Sequence, residues 1–180
     1  MKKVNHFFYA IIFLCSVFSQ ACGGCRNKKS NQKVDYKKIE NNLIENNKKL
    51  SRLESDEIDK YIQKNNWEDV VKTGTGLRYS ILKKGSGMQA EINQIAKVNY
   101  KISLLDGTFC YGSEKSGPKE FRIGQDDVET GLHEGIAYLH VGDKAKFILP
   151  SHLAHGFTGD QRKIPSNAPI IYEIELLNVR

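Results

Sequence analysis

Residues 128–156 read VETGLHEGIAYLHVGDKAKFILPSHLAHG and contain the change of pattern that decides the fold. Four apolar residues recur at the spacing of a single helix face: Val128, Leu132, Ile136 and Leu139. Asp127 stands where it could cap the start of that helix. The period then becomes two, because Ala145, Phe147 and Leu149 alternate with their neighbours like the inward-facing residues of a strand. The stretch therefore predicts a short helix, then a strand, then a proline-containing loop.

The same period of two marks further strands. Apolar residues occupy alternate positions over 77–81, 98–104 and 170–176, as in antiparallel strands with one face on a core and one in water. Asp106 and Gly107 indicate a tight hairpin turn. A single short helix among such strands has to cover the apolar face of the sheet. The sequence thus predicts an α+β fold: a twisted antiparallel β-sheet of five or six strands wrapped on one short α-helix, preceded by N-terminal helices.

Residues 35–67 have a helical period and form the predicted N-terminal extension. Two narrow apolar stripes are present, one of Ile39, Leu43 and Ile44 and one of Leu53, Ile58, Tyr61 and Ile62. Ser51 and Glu54 have the spacing of a capping box between two helices. Because isolated helices of this length are marginal in water, we expect them to pack on the main domain, on each other, or on a second copy in a homodimer through residues 35–66.

The start of the chain indicates export. A basic beginning precedes an apolar run of about 12 residues, which is too short to span a bilayer and typical of a secretory signal. The following SQACGG resembles a lipobox, which predicts a lipoprotein signal peptide over 1–21 and a lipid on Cys22. Residues 22–34 are interpreted as a polar tether. We expect a lipid-anchored protein of the cell envelope that faces the periplasm. Cys25 and Cys110 then remain in an oxidising compartment, and their pairing stays open.

Several other function classes are disfavoured. The net charge of +6 lies partly in residues 26–49, where Lys alternates with Glu and Asn and Tyr36 is the single aromatic residue, so no nucleic-acid partner is expected. No G-x-S-x-G motif indicates a hydrolase. His133 and His140 are seven positions apart, but no carboxylate or cysteine completes a metal-binding spacing. We therefore predict no metal site and no cofactor.

Four blocks of sequence together resemble the FK506-binding-protein (FKBP) family of peptidyl-prolyl cis-trans isomerases. They are GLRYSILKKGSG, VNYKISLLDGT, the stretch quoted at the outset, and IIYEIELLNV. Their order implies an isomerase domain over 76–180. The lipobox, NKKL and GDQRKIPSN also resemble a subgroup of FKBP lipoproteins from Bacteroidetes-type bacteria that includes a gliding-motility-associated isomerase. The family fold, a sheet wrapped around a helix, agrees with the pattern described above.

The resemblance implies a shallow apolar cup between sheet and helix, roofed by a loop. Carried over by motif, the residues acting on the substrate are Tyr111, Glu129, His155 and Tyr172. The residues binding the substrate are Tyr100, Cys110, Phe121, Val128, Leu132, Ala154 and Ile164. Leu132 would be the floor, and the backbone N–H of Glu129 would donate to a substrate carbonyl. From their alternating pattern alone, Tyr100 and Tyr172 could equally be ordinary core residues.

Several cup positions depart from the family pattern. Cys110 and Tyr111 stand where a Phe-Asp pair is usual, Glu129 is charged at an apolar position, and His155 replaces a tyrosine whose hydroxyl holds a substrate carbonyl. An imidazole N–H could do the same, with a dependence on pH. The resemblance implies an isomerase that assists the folding of envelope proteins by binding their proline-containing segments. The alternative is a weakly active or inactive chaperone or binding module for envelope or motility machinery.

Overall fold

The computed structural model describes residues 35–180. The predicted signal peptide 1–21, the acylated Cys22 and the tether 22–34 with Cys25 lie outside the described residues. Residues 41–180 form one compact unit. Among the described residues, no helix combines the length and the apolar character needed to cross a membrane.

Three α-helices and seven strands make up the described part of the chain. The helices are α1 (Tyr36–Lys64), α2 (Ser113–Ser116) and α3 (Thr130–Ile136). The strands are β1 (Val71–Lys72), β2 (Arg78–Lys83), β3 (Ile95–Leu104), β4 (Phe109–Gly112), β5 (Lys119–Arg122), β6 (Lys144–Leu149) and β7 (Ile170–Val179). Two 3-10 turns, Ser151–Leu153 and Gly156–Thr158, follow β6.

The strands form a single antiparallel sheet in the order β1-β2-β6-β7-β3-β4. β4 pairs with the C-terminal part of β3, and β5 pairs with its N-terminal part. The predicted fold class is confirmed, but the sheet has seven strands rather than five or six, because the two residues of β1 are too few to show an alternating pattern. The hairpin at Asp106 and Gly107 is confirmed as well, since β3 and β4 pair across it and Gly107 has a φ of 88°.

Helix α3 lies close against the inner face of the sheet. Leu132 and Ile136 are fully buried. Gly131 and Gly135 allow the close approach, since a Cβ on Gly135 would lie 2.7 Å from the ring of Phe147. The predicted cap was wrong: the helix begins at Thr130 with Glu129 as its N-cap, and it is shorter than the apolar stripe suggested. Leu132, Ile136 and Leu139 of the stripe are buried and Val128 is partly buried. The stripe is longer than the helix because residues just outside a helix can also face the core.

The N-terminal extension is one continuous helix, so the prediction of separate helices was wrong. Neither proline nor glycine interrupts α1, and Ser51 lies inside it. Glu54 caps a different segment: its carboxylate accepts hydrogen bonds from the Ser151 N–H at 2.6 Å and from the Ser151 hydroxyl at 3.1 Å. Glu54 therefore makes a tertiary contact with Ser151 and does not cap the start of a helix, although it has capping-box spacing from Ser51.

The C-terminal half of α1 covers the outer face of the sheet. Ile58 is buried against Ile148 and Ile171, whose side chains point away from the main core because their strand neighbours point into it. Arg78 on β2 is buried and donates hydrogen bonds to the Asp59 carboxylate at 2.9 and 3.1 Å. Of the packing arrangements expected for this extension, packing on the main domain is the one seen for its C-terminal half.

Candidate active site

The predicted cup residues gather on the inner face of the sheet. Five of them are buried members of the main core: Cys110, Phe121, Leu132, Ile164 and Tyr172. Four more are partly buried and pack against that core: Tyr100, Tyr111, Val128 and Ala154. Glu129 and His155 join the cluster through Tyr172, as described below. The structure therefore brings all eleven positions together, while their roles in binding and catalysis stay predictions.

Strand register puts the aromatic residues of the cup side by side. Tyr100 lies opposite Ile174, and Ile102 lies opposite Tyr172, so the two tyrosines are diagonal neighbours on β3 and β7. Their ring centroids are 6.3 Å apart. Phe121 on β5 packs edge-on against His133 of α3. Phe121, Tyr172 and Leu132 of α3 are members of the same buried core, and Tyr100 packs against it.

The Glu129 carboxylate links two other cup residues. One of its oxygens, Oε2, accepts a hydrogen bond of 2.8 Å from the Tyr172 hydroxyl. The other, Oε1, lies 3.1 Å from Nε2 of His155, and the two side chains are 10% and 28% exposed. Burial, the charge of Glu129 and this hydrogen bond raise the pKa of Tyr172 well above its usual value. The sequence singled out each of these residues, but it did not reveal that they form one network.

The backbone N–H of Glu129 stands just before α3. Its carbonyl accepts from the N–H groups of Leu132 and His133 at 2.8 and 3.2 Å, which closes the first turn of the helix. Within residues 35–180, the N–H itself has no hydrogen-bond acceptor. It is therefore free to donate to a bound peptide, as the resemblance implies.

The Tyr111 hydroxyl is engaged within the protein. It donates a hydrogen bond to Asp160, whose other carboxylate oxygen accepts from three backbone N–H groups, those of Arg162, Lys163 and Ile164, at 2.8 to 2.9 Å. Burial would raise the pKa of Asp160, but the hydrogen bonds outweigh it and lower the pKa to about 2. Tyr111 thus tethers the loop above the cup. Sequence reasoning missed Asp160, although Asp followed by backbone donors is a common loop pattern.

Lys163 closes the same corner of the cup. Its ammonium donates to the Cys110 carbonyl at 2.6 Å and lies 5.1 Å from the centre of the Tyr111 ring. The Cys110 side chain is fully buried, and burial is the main reason why the pKa of its thiol is raised. A buried thiol of this kind behaves as a small apolar residue rather than as a nucleophile.

The side chains of His152 and His133 are not part of the hydrogen-bond network of the Glu129 carboxylate. His152 is exposed, with its Nε2 3.0 Å from the Thr75 carbonyl oxygen. His133 accepts a hydrogen bond from the Gly124 N–H at Nδ1. Among residues 35–180, no three His, Cys, Asp or Glu side chains are grouped so that they could hold a metal ion.

Comparison with known proteins identifies the class to which this fold and cup belong. A family model described as FKBP-type peptidyl-prolyl cis-trans isomerase matches residues 87–177, about half of the 180-residue chain. The chain therefore belongs to the FKBP-type peptidyl-prolyl cis-trans isomerase family.

Individual relatives agree with this assignment. The isomerase FkpA of Aeromonas hydrophila is 39% identical over 113 residues, which cover 62% of this chain and 41% of FkpA. FkpA of Escherichia coli K12 is 34% identical over 138 residues, covering 72% and 50%. The crystal structure of AtFKBP13 superposes with a TM-score of 0.59 at 27% identity, covering 62% of this chain and 99% of that one. The chain spans about half the length of the FkpA relatives.

Proposed function

We propose that the protein is a peptidyl-prolyl cis-trans isomerase that binds Xaa-Pro segments of folding envelope proteins in the cup. The observation that supports this most strongly is that Tyr100, Phe121, Leu132 and Tyr172 cluster on the inner face of the sheet, close in the chain to a backbone N–H, that of Glu129, which has no acceptor within residues 35–180. Family membership supports the same reaction.

The reaction asks little of the protein beyond such a cup. Rotation about the Xaa-Pro bond has a barrier of about 20 kcal/mol, and no covalent bond is broken. The twisted amide loses charge separation, so dry apolar surroundings favour the transition state over the planar ground state. Leu132 forms the floor and Tyr100, Phe121 and Tyr172 form the wall for the proline ring. No cofactor is required for this chemistry.

Two donors hold the carbonyl groups that flank the proline. The Glu129 N–H donates to one, and the imidazole of His155 donates to another in place of the tyrosine that the family resemblance implies. Tyr111 acts on the loop above the cup, because its hydroxyl is bonded to Asp160. Its effect on turnover is therefore indirect.

Exchange measurements on an Xaa-Pro peptide without a coupled protease test this proposal. At micromolar full-length protein we expect acceleration above background, and we expect it to fall in His155→Phe and Tyr111→Phe. His152→Phe and Tyr138→Phe serve as matched controls, since both residues lie outside the cup network. No acceleration by the wild type would refute isomerase activity, and unchanged turnover in both cup variants would refute these side-chain roles.

The cellular position is proposed from the sequence of residues 1–34. Signal peptidase II cleaves after Ala21, Cys22 carries the lipid, and residues 22–34 tether the domain to a membrane of the cell envelope, facing the periplasm. The resemblance of the lipobox, NKKL and GDQRKIPSN to FKBP lipoproteins supports this placement. Incorporation of a labelled fatty acid into the wild type and not into Cys22→Ser tests the anchor; equal labelling would contradict it.

A homodimer through residues 35–66 is supported by the exposed apolar side chains of α1. Leu43 and Leu50 are 58% and 60% exposed, which is unusual for leucines one helical repeat of seven residues apart. Sedimentation equilibrium of the full chain should give a dimer for the wild type and for Lys48→Glu. Leu43→Glu should give a monomer, and a wild-type monomer would contradict the proposal.

A second candidate function, a binding module for unfolded segments, is favoured by one feature. A groove of about 550 Å³ beside the cup is lined by Leu50, Leu53 and Phe157, and Phe157 is 80% exposed. Suppression of aggregation of a proline-free client should fall in Leu53→Ser but not in Leu82→Ser, which removes an exposed leucine elsewhere. Aggregation suppression without peptide turnover would favour this candidate over the isomerase.

A further inference from the structure

The contact between Glu129 and His155 fixes which imidazole nitrogen is engaged within the protein. Nε2 of His155 lies 3.1 Å from Oε1 of Glu129, whose other oxygen already accepts from Tyr172. An ionised carboxylate can only accept hydrogen bonds, so the nitrogen next to it has to carry the proton. In a neutral imidazole the second nitrogen, Nδ1, is then an acceptor and cannot donate to a carbonyl.

Protonation of the imidazole removes this restriction. An imidazolium carries hydrogens on both nitrogens, so Nε2 donates to Glu129 while Nδ1 donates to the peptide carbonyl. A tyrosine, which the family resemblance implies at this position, carries a hydroxyl that donates in its neutral form, so it would need no such change. The departures at Glu129 and His155 are thus one coupled feature, and the Tyr172 hydroxyl supports it through its hydrogen bond to Glu129.

The neighbouring charges leave Glu129 as the group that governs His155. Besides His155, the titratable side chains in and beside the cup are Tyr100, Cys110, Tyr111, Glu129, His133, Asp160, Lys163 and Tyr172. Asp160 is bonded to Tyr111 and to backbone N–H groups, and Lys163 donates to the Cys110 carbonyl. Within residues 35–180, the ion-pair partner of His155 is Glu129.

We propose that Glu129, supported by Tyr172, is a positioning residue that holds His155 with Nδ1 toward the substrate, so that the substrate carbonyl is bound only by the protonated imidazole. The proposal rests on the isomerase function proposed above. It predicts that kcat/KM rises as the pH falls from about 8.5 to about 5.5, because more of the protein then carries the donor. A charge-assisted hydrogen bond corresponds to a factor of about ten or more in kcat/KM.

The test measures exchange of an Xaa-Pro peptide across this pH range with the full chain and three variants. The kcat/KM of the wild type should rise about tenfold as the pH falls from about 8.5 to about 5.5. The kcat/KM of Glu129→Gln should change less than about twofold over this range. The glutamine amide can donate a hydrogen bond to Nε2, so the neutral ring carries its proton on Nδ1. The kcat/KM of His155→Tyr should not change over the same pH range. Glu173→Gln, which removes a carboxylate from the outer face of the same strand as Tyr172, should keep the wild-type profile.

Two results would overturn the proposal. One is a wild-type kcat/KM that does not change with pH, and the other is a rise of kcat/KM on acidification that persists in Glu129→Gln. A separate readout distinguishes this failure from failure of the proposed function. Nitrogen-15 NMR of the imidazole at pH 8.5 should find His155 protonated at Nε2 in the wild type, with Nδ1–H gaining population in Glu129→Gln. Protonation at Nδ1 in the wild type contradicts the positioning role, whatever the turnover.

Discussion

Replacing Asp160 by asparagine tests how the loop above the cup is held. A pKa lowered from 3.8 to about 2 corresponds to about 2.4 kcal/mol of interaction between the carboxylate and the native protein. The residue is only partly buried, so solvent screening reduces this to about 1–2 kcal/mol. Asparagine keeps an acceptor oxygen for the backbone N–H groups but has no charge. We therefore expect Asp160→Asn to lower the free energy of unfolding by about 1–2 kcal/mol at pH 7.

The pH dependence of this loss follows from the direction of the shift. Because the pKa of Asp160 is lower in the folded protein, its charge stabilises the fold fully above about pH 4, and this stabilisation is lost as the pH falls through about 2. Urea unfolding followed by the fluorescence of Trp67, the single tryptophan, measures the difference between wild type and variant. We expect the difference at pH 2.5 to be less than half of that at pH 7. A difference that is equal at both pH values would refute the reasoning, and Tyr111→Phe should show a smaller version of the same trend.

Three further predictions concern the packing that positions the site. Gly135→Ala should lower the free energy of unfolding by about 1–3 kcal/mol in urea titrations, because the new Cβ would lie 2.7 Å from the Phe147 ring; a loss below about 0.5 kcal/mol would contradict this close approach. Arg78→Met should lower the free energy of unfolding by about 1–3 kcal/mol and speed proteolysis within α1, since Asp59 loses its buried partner. An unchanged rate of proteolysis would show that this ion pair does not hold α1 on the sheet. Leu132→Ala should lower the free energy of unfolding by about 2–5 kcal/mol and also lower kcat/KM. Full turnover at a temperature where the variant is folded would contradict the role of Leu132 as the floor of the cup.

The inner face of the sheet could be predicted from the sequence because its signal is local. Over 98–104 of β3 and 172–176 of β7 the apolar side chains occupy every second position, and one face of each strand meets the core whatever lies elsewhere in the chain. The buried stripe of α3 has the same property. The pattern of polar and apolar residues along each short segment was enough to predict these two strands and the helix.

The outer face could not be predicted in the same way. Ile148 and Ile171 interrupt the alternation of their strands, and their burial depends on Ile58, which lies about ninety residues or more away in the chain. A helix that packs on the far side of a sheet leaves only isolated apolar residues on the outward positions. The continuity of α1 was missed for a related reason, since Ser51 and Glu54 matched a local motif whose acidic member serves a distant loop.

The chemistry of the cup was only partly visible in the sequence. Family blocks identified the positions, but hydrogen-bond partners such as Glu129 and Tyr172 are 43 positions apart and are brought together by the sheet and helix. Tyr111 and Asp160 are 49 positions apart. Side-chain networks of this kind depend on tertiary geometry, so residue type and order gave the candidates and not their connections.

The most direct test of the central claim is an NMR exchange measurement on an Xaa-Pro peptide mixed with a small amount of the full-length protein. We predict exchange cross-peaks between the cis and trans forms at rates well above the uncatalysed interconversion, which takes roughly 10–100 s, together with peptide-dependent shifts of the Glu129 N–H and the His155 ring. Catalysed exchange with shifts confined to other residues would contradict the assignment of the cup. Peptide binding without any increase in the exchange rate would contradict the proposed isomerase activity itself.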